Sequence, residues 1–201
     1  MLKVGLTGGF ASGKSFVGET LAGLGCHLIQ ADELGHQVLL PGGAAYADVV
    51  REFGAAVLTP EGTIDRNRLA AAVFDNPERL ARLNALVHPP VIRLEEELMA
   101  RYAAADPQGI VVVEAAILIE TGSHKRFHRI IVTVCDQEQQ IERAMKRDGI
   151  SREQALARIR RQMPLSEKQD YADYVIDTSG AKEDTIRQTV AVYEQLRRLK
   201  L

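Results

Sequence analysis

The segment Gly8-Gly9-Phe10-Ala11-Ser12-Gly13-Lys14-Ser15 limits what this chain can fold into more than any other stretch. It satisfies G-x-x-x-x-G-K-[ST] in full. Leu2 to Leu6 before it reads as a short buried strand, and Lys14 to Leu24 after it as a helix with Val17, Leu21 and Leu24 on one face. Glycines let such a turn bring successive backbone N–H groups round one phosphate. The helix N-terminus adds partial positive charge, Lys14 adds a full one, and the Ser15 hydroxyl suits Mg²⁺. Gly9, Phe10, Ala11, Ser12, Gly13, Lys14, Ser15 and Phe16 are therefore candidate ATP contacts, Phe16 through its backbone N–H only.

The rest of the chain reads as one elaborated α/β unit. At 201 residues it is long enough for a full core. Its net charge of −2 argues against a dedicated nucleic-acid binder. Cys26 and Cys135 lack metal-ligand spacing and read as reduced structural thiols, in keeping with a cytoplasmic protein. No apolar run approaches the ~18 residues of a membrane span. Nothing in the pattern speaks to oligomeric state.

Cys26 to Ile29 makes a second strand, placing Asp32 at a strand's C-terminal edge, where open α/β sheets hold their ligands. Residues 32–104 then carry almost no strand pattern. Helices are expected over Asp32–Leu40, Ala44–Phe53, Asp65–Phe74, from Asp75 to near His88-Pro89-Pro90, and from Val91 to about Ala104. Strands return at Gly109–Val113, Arg129–Val134 and Tyr174–Ile176, the first two as apolar runs suited to parallel strands covered on both faces. Asp136 with Gln139 opens a helix, Ser151 with Gln154 forms a capping box, and Asp148-Gly149-Ile150 links the two helices as a hairpin. A terminal helix runs over Ala181–Leu201. The fold class is thus α/β, a parallel sheet of about five strands flanked by helices. Residues 1–31, 105–135 and 171–201 form the nucleotide-binding core, 32–104 a helical insertion and 136–170 a helical lid.

Three constellations narrow the chemistry. Asp32 could accept or orient the proton of an attacking hydroxyl, or could simply cap the next helix. Glu114, after Ile110 to Val113, is where an acid would hold Mg²⁺ through water opposite Ser15; it also reads as a plain strand-end acid, and Glu120 is the weaker metal candidate. The hairpin is rich in arginine. Arg143 and Arg147 share one helix face, and Arg158 and Arg161 another, which suits a lid over ATP whose arginines stabilise the moving phosphoryl group. The alternative is a solvated basic helix or an RNA-binding patch. Asp32-Glu33-Leu34-Gly35 matches D-x-x-G but comes too early for a GTPase, and no N-K-x-D reads guanine.

From Val4 to about Gly180 the ordered set of motifs resembles the dephospho-coenzyme A kinase family. It comprises Gly5-Leu6-Thr7-Gly8-Gly9, Ser12-Gly13-Lys14-Ser15, Ala31-Asp32, Pro41-Gly42-Gly43-Ala44-Ala45-Tyr46, Phe53-Gly54 and Asp65-Arg66. Leu83-Asn84 with His88-Pro89, Leu118 with Glu120, Arg147-Asp148-Gly149, Arg158-Ile159 with Gln162, and Ala172 to Asp177 with Gly180 complete it. The resemblance implies a P-loop kinase core, a coenzyme-binding helical domain and a lid. It also implies ATP- and Mg²⁺-dependent phosphorylation of the ribose 3′-hydroxyl of dephospho-CoA. On that footing Asp32, Lys14, Arg143 and Arg147 are catalytic, Asp32, Arg66 and His88 meet the acceptor, and Arg147, Arg158, Thr178 and Gly180 meet ATP. The partners are dephospho-CoA and ATP, with no nucleic acid and no membrane. The chain departs from the family pattern at Gln30, Ala116 and Thr178, where Asp, Pro and Asn are usual. A kinase for a different small acceptor and a non-catalytic ATP switch are the competing readings.

Overall fold

The computed structural model describes residues 1–74 and 76–199. In chain order the elements are β1 (Leu2–Gly8), α1 (Lys14–Gly23), β2 (His27–Gln30), α2 (Ala31–Gln37), α3 (Tyr46–Phe53), α4 (Arg66–Val73) and α5 (Pro77–Ala105). They continue as β3 (Ile110–Glu114), β4 (Arg129–Val134), α6 (Gln137–Asp148), α7 (Arg152–Ile159), α8 (Leu165–Gln169), β5 (Tyr174–Asp177) and α9 (Lys182–Arg197). Short 3-10 turns lie at Ala55–Val57 and Ser123–Arg126. The expected helix start at Asp75, and the chain end beyond Leu199, lie outside the described residues. Among the described residues no helix is long and apolar enough to cross a membrane.

The strands form one parallel sheet in the order β2-β3-β1-β4-β5. β1 is central, with Leu2 to Leu6 in register with Ile110 to Glu114 on one side and Val4 to Gly8 with Arg129 to Thr133 on the other. Both faces are covered, which is why these strands read as unbroken apolar runs. Val4, Leu6, Ile110, Val112, Ile131 and Ile176 pack with Val17 and Leu21 of α1 and Val192 and Leu196 of α9. Ile130 and Val132 point the other way, onto Ile119, Phe127 and Met163. Each such aliphatic side chain contributes roughly 1.5–3 kcal/mol through burial, and β1 carries the phosphate loop at its end.

The chain divides into two units, one of Met1–Ile29 with Arg101–Leu201 and one of Gln30–Ala100. In the second unit, α2 begins one residue before Asp32, so Asp32 sits in its first turn and does not cap it; Gln30 is the N-cap residue. α4 is capped as its sequence suggests, with the Asp65 carboxylate accepting from the N–H of Asn67 (2.9 Å) and Arg68 (3.1 Å). The expected break at His88-Pro89-Pro90 does not occur, and α5 runs through both prolines. Each proline removes one N–H from the ladder, at a cost of about 3 kcal/mol in a helix interior. Burial of Pro90, Val91 and Met99 along the same helix offsets that loss.

Candidate active site

The phosphate loop owes its shape to left-handed backbone at two points. Ala11 has φ 55° and Gly13, the N-cap of α1, has φ 85°. A side chain at Gly13 would be strained, and its Cβ would lie 3.1 Å from the Thr178 side chain. Inside the loop, the Gly9 carbonyl accepts from the Ser12 N–H (3.2 Å) and from Lys14 Nζ (2.9 Å). Lys14 thus arches over the loop whose phosphate it would meet. The N–H groups of the first turn of α1 open on the same cleft.

The loop is braced from beneath. The buried Ser12 hydroxyl hydrogen-bonds Thr133 Oγ1 of β4 (2.8 Å). The Phe10 carbonyl accepts from Gln140 Nε2 (2.7 Å). Thr178 Oγ1 lies 2.9 Å from the Ser12 carbonyl and 3.2 Å from that of Val134, and donates its one proton to this pair. The same oxygen accepts from Arg143 Nη1 (3.0 Å), while Arg143 Nη2 donates to the Thr178 carbonyl (2.5 Å). Thr178, expected to meet ATP, and Arg143, expected to be catalytic, therefore meet each other behind the loop. Thr178 is only 4% exposed, so its hydroxyl serves the loop backbone.

Ser15 and Glu114 are brought together: Ser15 Oγ donates to Glu114 Oε1 over 2.7 Å. Glu114 is the last residue of β3 and is buried. One hydroxyl and one carboxylate, both hard oxygen donors at the mouth of a phosphate cradle, fit an octahedral Mg²⁺ that keeps most of its waters and phosphate ligands. Among the described residues no cluster of three or more His, Cys, Asp or Glu side chains could hold a metal by itself.

A cleft of about 490 Å³ is lined by residues 11–16 together with Arg143, Lys146 and Arg147. The hairpin bearing these arginines packs onto the loop, with Phe10 and Ala11 against Ile141, Ala144 and Ala155. The guanidinium carbons of Arg147 and Arg158 each lie 5.4 Å from the centre of the Phe10 ring. Both arginines also bind Asp148, at 2.7 Å for Arg147 Nε and 3.2 Å for Arg158 Nη1. The Arg147 hydrogen bond, with the charges of both arginines, holds the Asp148 carboxyl below the usual carboxylate range. The Phe16 ring faces Lys182 Nζ at 5.5 Å. Gly180 is exposed in the loop after β5.

The remaining candidates belong to the second unit. Asp32 is exposed in the first turn of α2, and Arg66 is exposed at the first position of α4. His88 is half-buried on α5, and burial lowers its pKa.

Some contributors were not legible beforehand. Asp136 is the N-cap of α6 but makes no side-chain cap bond, and Gln139 instead donates to the Ser179 carbonyl (2.8 Å). Gln140 gave no local signal; only its burial against the loop marks it. Glu120, the weaker metal candidate, is bound to Lys168 (2.9 Å) and to the Met163 N–H (3.1 Å).

The model of the dephospho-CoA kinase family matches residues 2–184. A curated dephospho-CoA kinase of Geobacter metallireducens is 43% identical over 195 residues, covering 97% of this chain and 96% of its own. A solved Thermus thermophilus protein superposes with a TM-score of 0.84 at 36% identity, covering 97% of each chain. The dephospho-CoA kinase of Campylobacter jejuni does so with a TM-score of 0.71 at 27% identity, over 98% of this chain and 97% of its own.

Proposed function

The chain belongs to the dephospho-CoA kinase family, and from that premise we propose how its own residues carry the transfer of a phosphoryl group from ATP to the ribose 3′-hydroxyl of dephospho-CoA. The observation that carries this reading is the pairing of a braced phosphate loop with the Ser15–Glu114 contact at its mouth. The backbone N–H groups of Gly9 to Phe16 cradle the ATP phosphates. Lys14 leaves the Gly9 carbonyl for the β- and γ-phosphates, a short move because the loop already surrounds it. Ser15 and, through water, Glu114 would hold Mg²⁺, which supplies charge neutralisation on the phosphates when bound.

Asp32 orients the 3′-hydroxyl and receives its proton as the oxygen attacks the γ-phosphorus; the bond to the β-γ bridging oxygen breaks and ADP leaves. Arg66 and His88 bind the acceptor, Arg66 through its pyrophosphate. Residues 136–170 act as the lid. Arg147 and Arg158 exchange Asp148 for phosphate oxygens on closure, which also excludes water from the reaction. Arg143, fixed by Thr178, contributes field at the phosphates and holds the loop after β5, where Thr178 and Gly180 bound the adenine end. Two free thiols suit a cytoplasmic setting.

The test is ADP release with ATP and Mg²⁺, with dephospho-CoA, AMP or adenosine as acceptor. Release confined to dephospho-CoA, with product mass raised by one phosphoryl group, is expected. Release with another acceptor overturns the acceptor assignment. Lys14→Ala and Asp32→Asn both lose turnover, the second while still binding dephospho-CoA; near-normal kcat in Asp32→Asn removes that carboxylate from the chemistry.

A further inference from the structure

Lys168 is the largest fully buried side chain of the described residues, with 0% exposure on a short helix, α8, to which the mechanism above gives no part. A buried ammonium is costly unless it is paired and hydrogen-bonded. All three of its protons have acceptors: the Ala116 carbonyl at 2.7 Å, Glu120 Oε1 at 2.9 Å and the Gly8 carbonyl at 3.3 Å. Those acceptors come from places that matter to the site. Gly8 is the last residue of β1 and the first of the phosphate loop. Ala116 follows β3, two residues beyond Glu114, and its carbonyl also accepts from Thr7 Oγ1 at 3.3 Å. Glu120 in turn accepts from the Met163 N–H, where the chain leaves the arginine-bearing hairpin.

We propose that Lys168 is a positioning residue for phosphoryl transfer: held by Glu120, it grips the Gly8 carbonyl and so aims the first peptide of the phosphate loop. The physical link is peptide planarity. The Gly8–Gly9 bond is trans, so its carbonyl and its N–H point to opposite sides. An ammonium fixing the Gly8 oxygen from the α8 side turns the Gly9 N–H to the other side. The following carbonyl, Gly9, carries both the Ser12 N–H and Lys14 Nζ, so an error at the first peptide passes to the catalytic lysine. A flexible glycine pair needs such an external hold, because neither residue has a side chain to restrict it. Glu120 is the partner that makes the buried charge tolerable. By also holding Met163 it ties the exit of the hairpin to the start of the loop.

The inference rests on residues 8–15 being the ATP-phosphate cradle, and the experiment separates the two. Steady-state kinetics and thermal melts are measured for the unsubstituted chain, Lys168→Met, Glu120→Gln and the double variant. Lys168→Met leaves Glu120 without its counter-charge and melts lower. It is expected to raise KM for ATP roughly tenfold, the scale of one lost charge-assisted hydrogen bond, with KM for dephospho-CoA within about twofold of the unsubstituted value. The double variant removes both charges. Its melting temperature recovers toward that of the unsubstituted chain, yet KM for ATP stays high, because the Gly8 carbonyl is still unheld. Recovery of both together, or unchanged KM for ATP in Lys168→Met, overturns the proposal and leaves the pair a matter of stability alone. So does failure of all three variants to fold. Absence of transfer in the unsubstituted chain overturns the cradle reading itself, and this inference with it.

Discussion

Replacing Thr178 by Val exchanges a hydroxyl for a methyl of similar shape at a site only 4% exposed. Packing is nearly conserved, so the change isolates the hydrogen bonds. Arg143 Nη1 loses its 3.0 Å acceptor but keeps the bond from Nη2 to the Thr178 carbonyl. The Ser12 carbonyl loses a donor at 2.9 Å. A hydrogen bond to a charged group contributes about 1.5–3 kcal/mol and a buried carbonyl left short costs about 1–3 kcal/mol. Because Arg143 keeps its second bond, both costs are taken at the low end of their ranges, and with about 0.8 kcal/mol returned by the added methyl a net loss of about 2 kcal/mol follows. In a chain of this size each kcal/mol lowers Tm by about 2–4 °C, giving a drop of roughly 4–8 °C. Thr178→Ser is the control: it keeps the hydroxyl and removes one buried methyl, about 0.8 kcal/mol and roughly 2–3 °C. Calorimetry of the full chain reads both. ATP kinetics read the consequence for the loop, with KM for ATP rising in Thr178→Val and near normal in Thr178→Ser. A Val variant melting within about 2 °C of the unsubstituted chain would refute the argument that this hydroxyl supports the loop. A Ser variant as damaged as the Val variant would show that packing and not hydrogen bonding holds the site.

Three further outcomes follow from the site. Ser15→Ala and Glu114→Gln should each raise the Mg²⁺ concentration needed for half-maximal rate, by roughly 10- to 100-fold, with unchanged Mg²⁺ dependence counting against their shared role. Burial pushes the Cys26 thiol up to about 12 and raises that of Cys135, so at pH 8 a thiol reagent should label the native protein slowly and the denatured protein at both positions at once. Asp148 is held low by its arginines, so its contribution to hairpin stability is complete above the unfolded carboxylate pKa and is lost as pH falls through the folded one. The difference in melting temperature between the unsubstituted chain and Asp148→Asn should therefore be constant near neutrality and shrink below about pH 4; a difference that persists at pH 2 excludes the ion pairs as its source.

What could be read from the sequence was what short-range chemistry decides. Gly13 needs a left-handed backbone for the turn into α1, and Ser151 and Gln154 form their capping box within four residues. Asp65 caps α4 by the same local logic. The sheet strands were legible because parallel strands covered on both faces have no polar alternation to confuse. Long-range choices were not legible. Lys168 stands in the polar run Ser166-Glu167-Lys168-Gln169, where a solvated side chain is the ordinary expectation. Its burial is decided by Gly8, 160 positions away, and Ala116, 52 positions away. Pro89 and Pro90 carry a strong local stop signal that the burial of Pro90, Val91 and Met99 overrides. Thr178 reads as a residue of the nucleotide loop, and its position next to Gly13 depends on β5 docking beside β4.

The bracing of the phosphate loop has a thermodynamic consequence. Thr133, Gln140 and Thr178 fix Ser12 and Phe10 through hydrogen bonds that the chain itself supplies. The loop's conformational entropy is therefore lost when the chain folds, at about 1–2 kcal/mol per residue, and is not lost a second time on binding. The free energy of ATP contacts is left to act on the parts that must still move, Lys14 and the arginines now bound to Asp148. Amide protons of residues 9–13 should accordingly exchange at rates closer to those of β1 than to those of a surface turn, before any ligand is added.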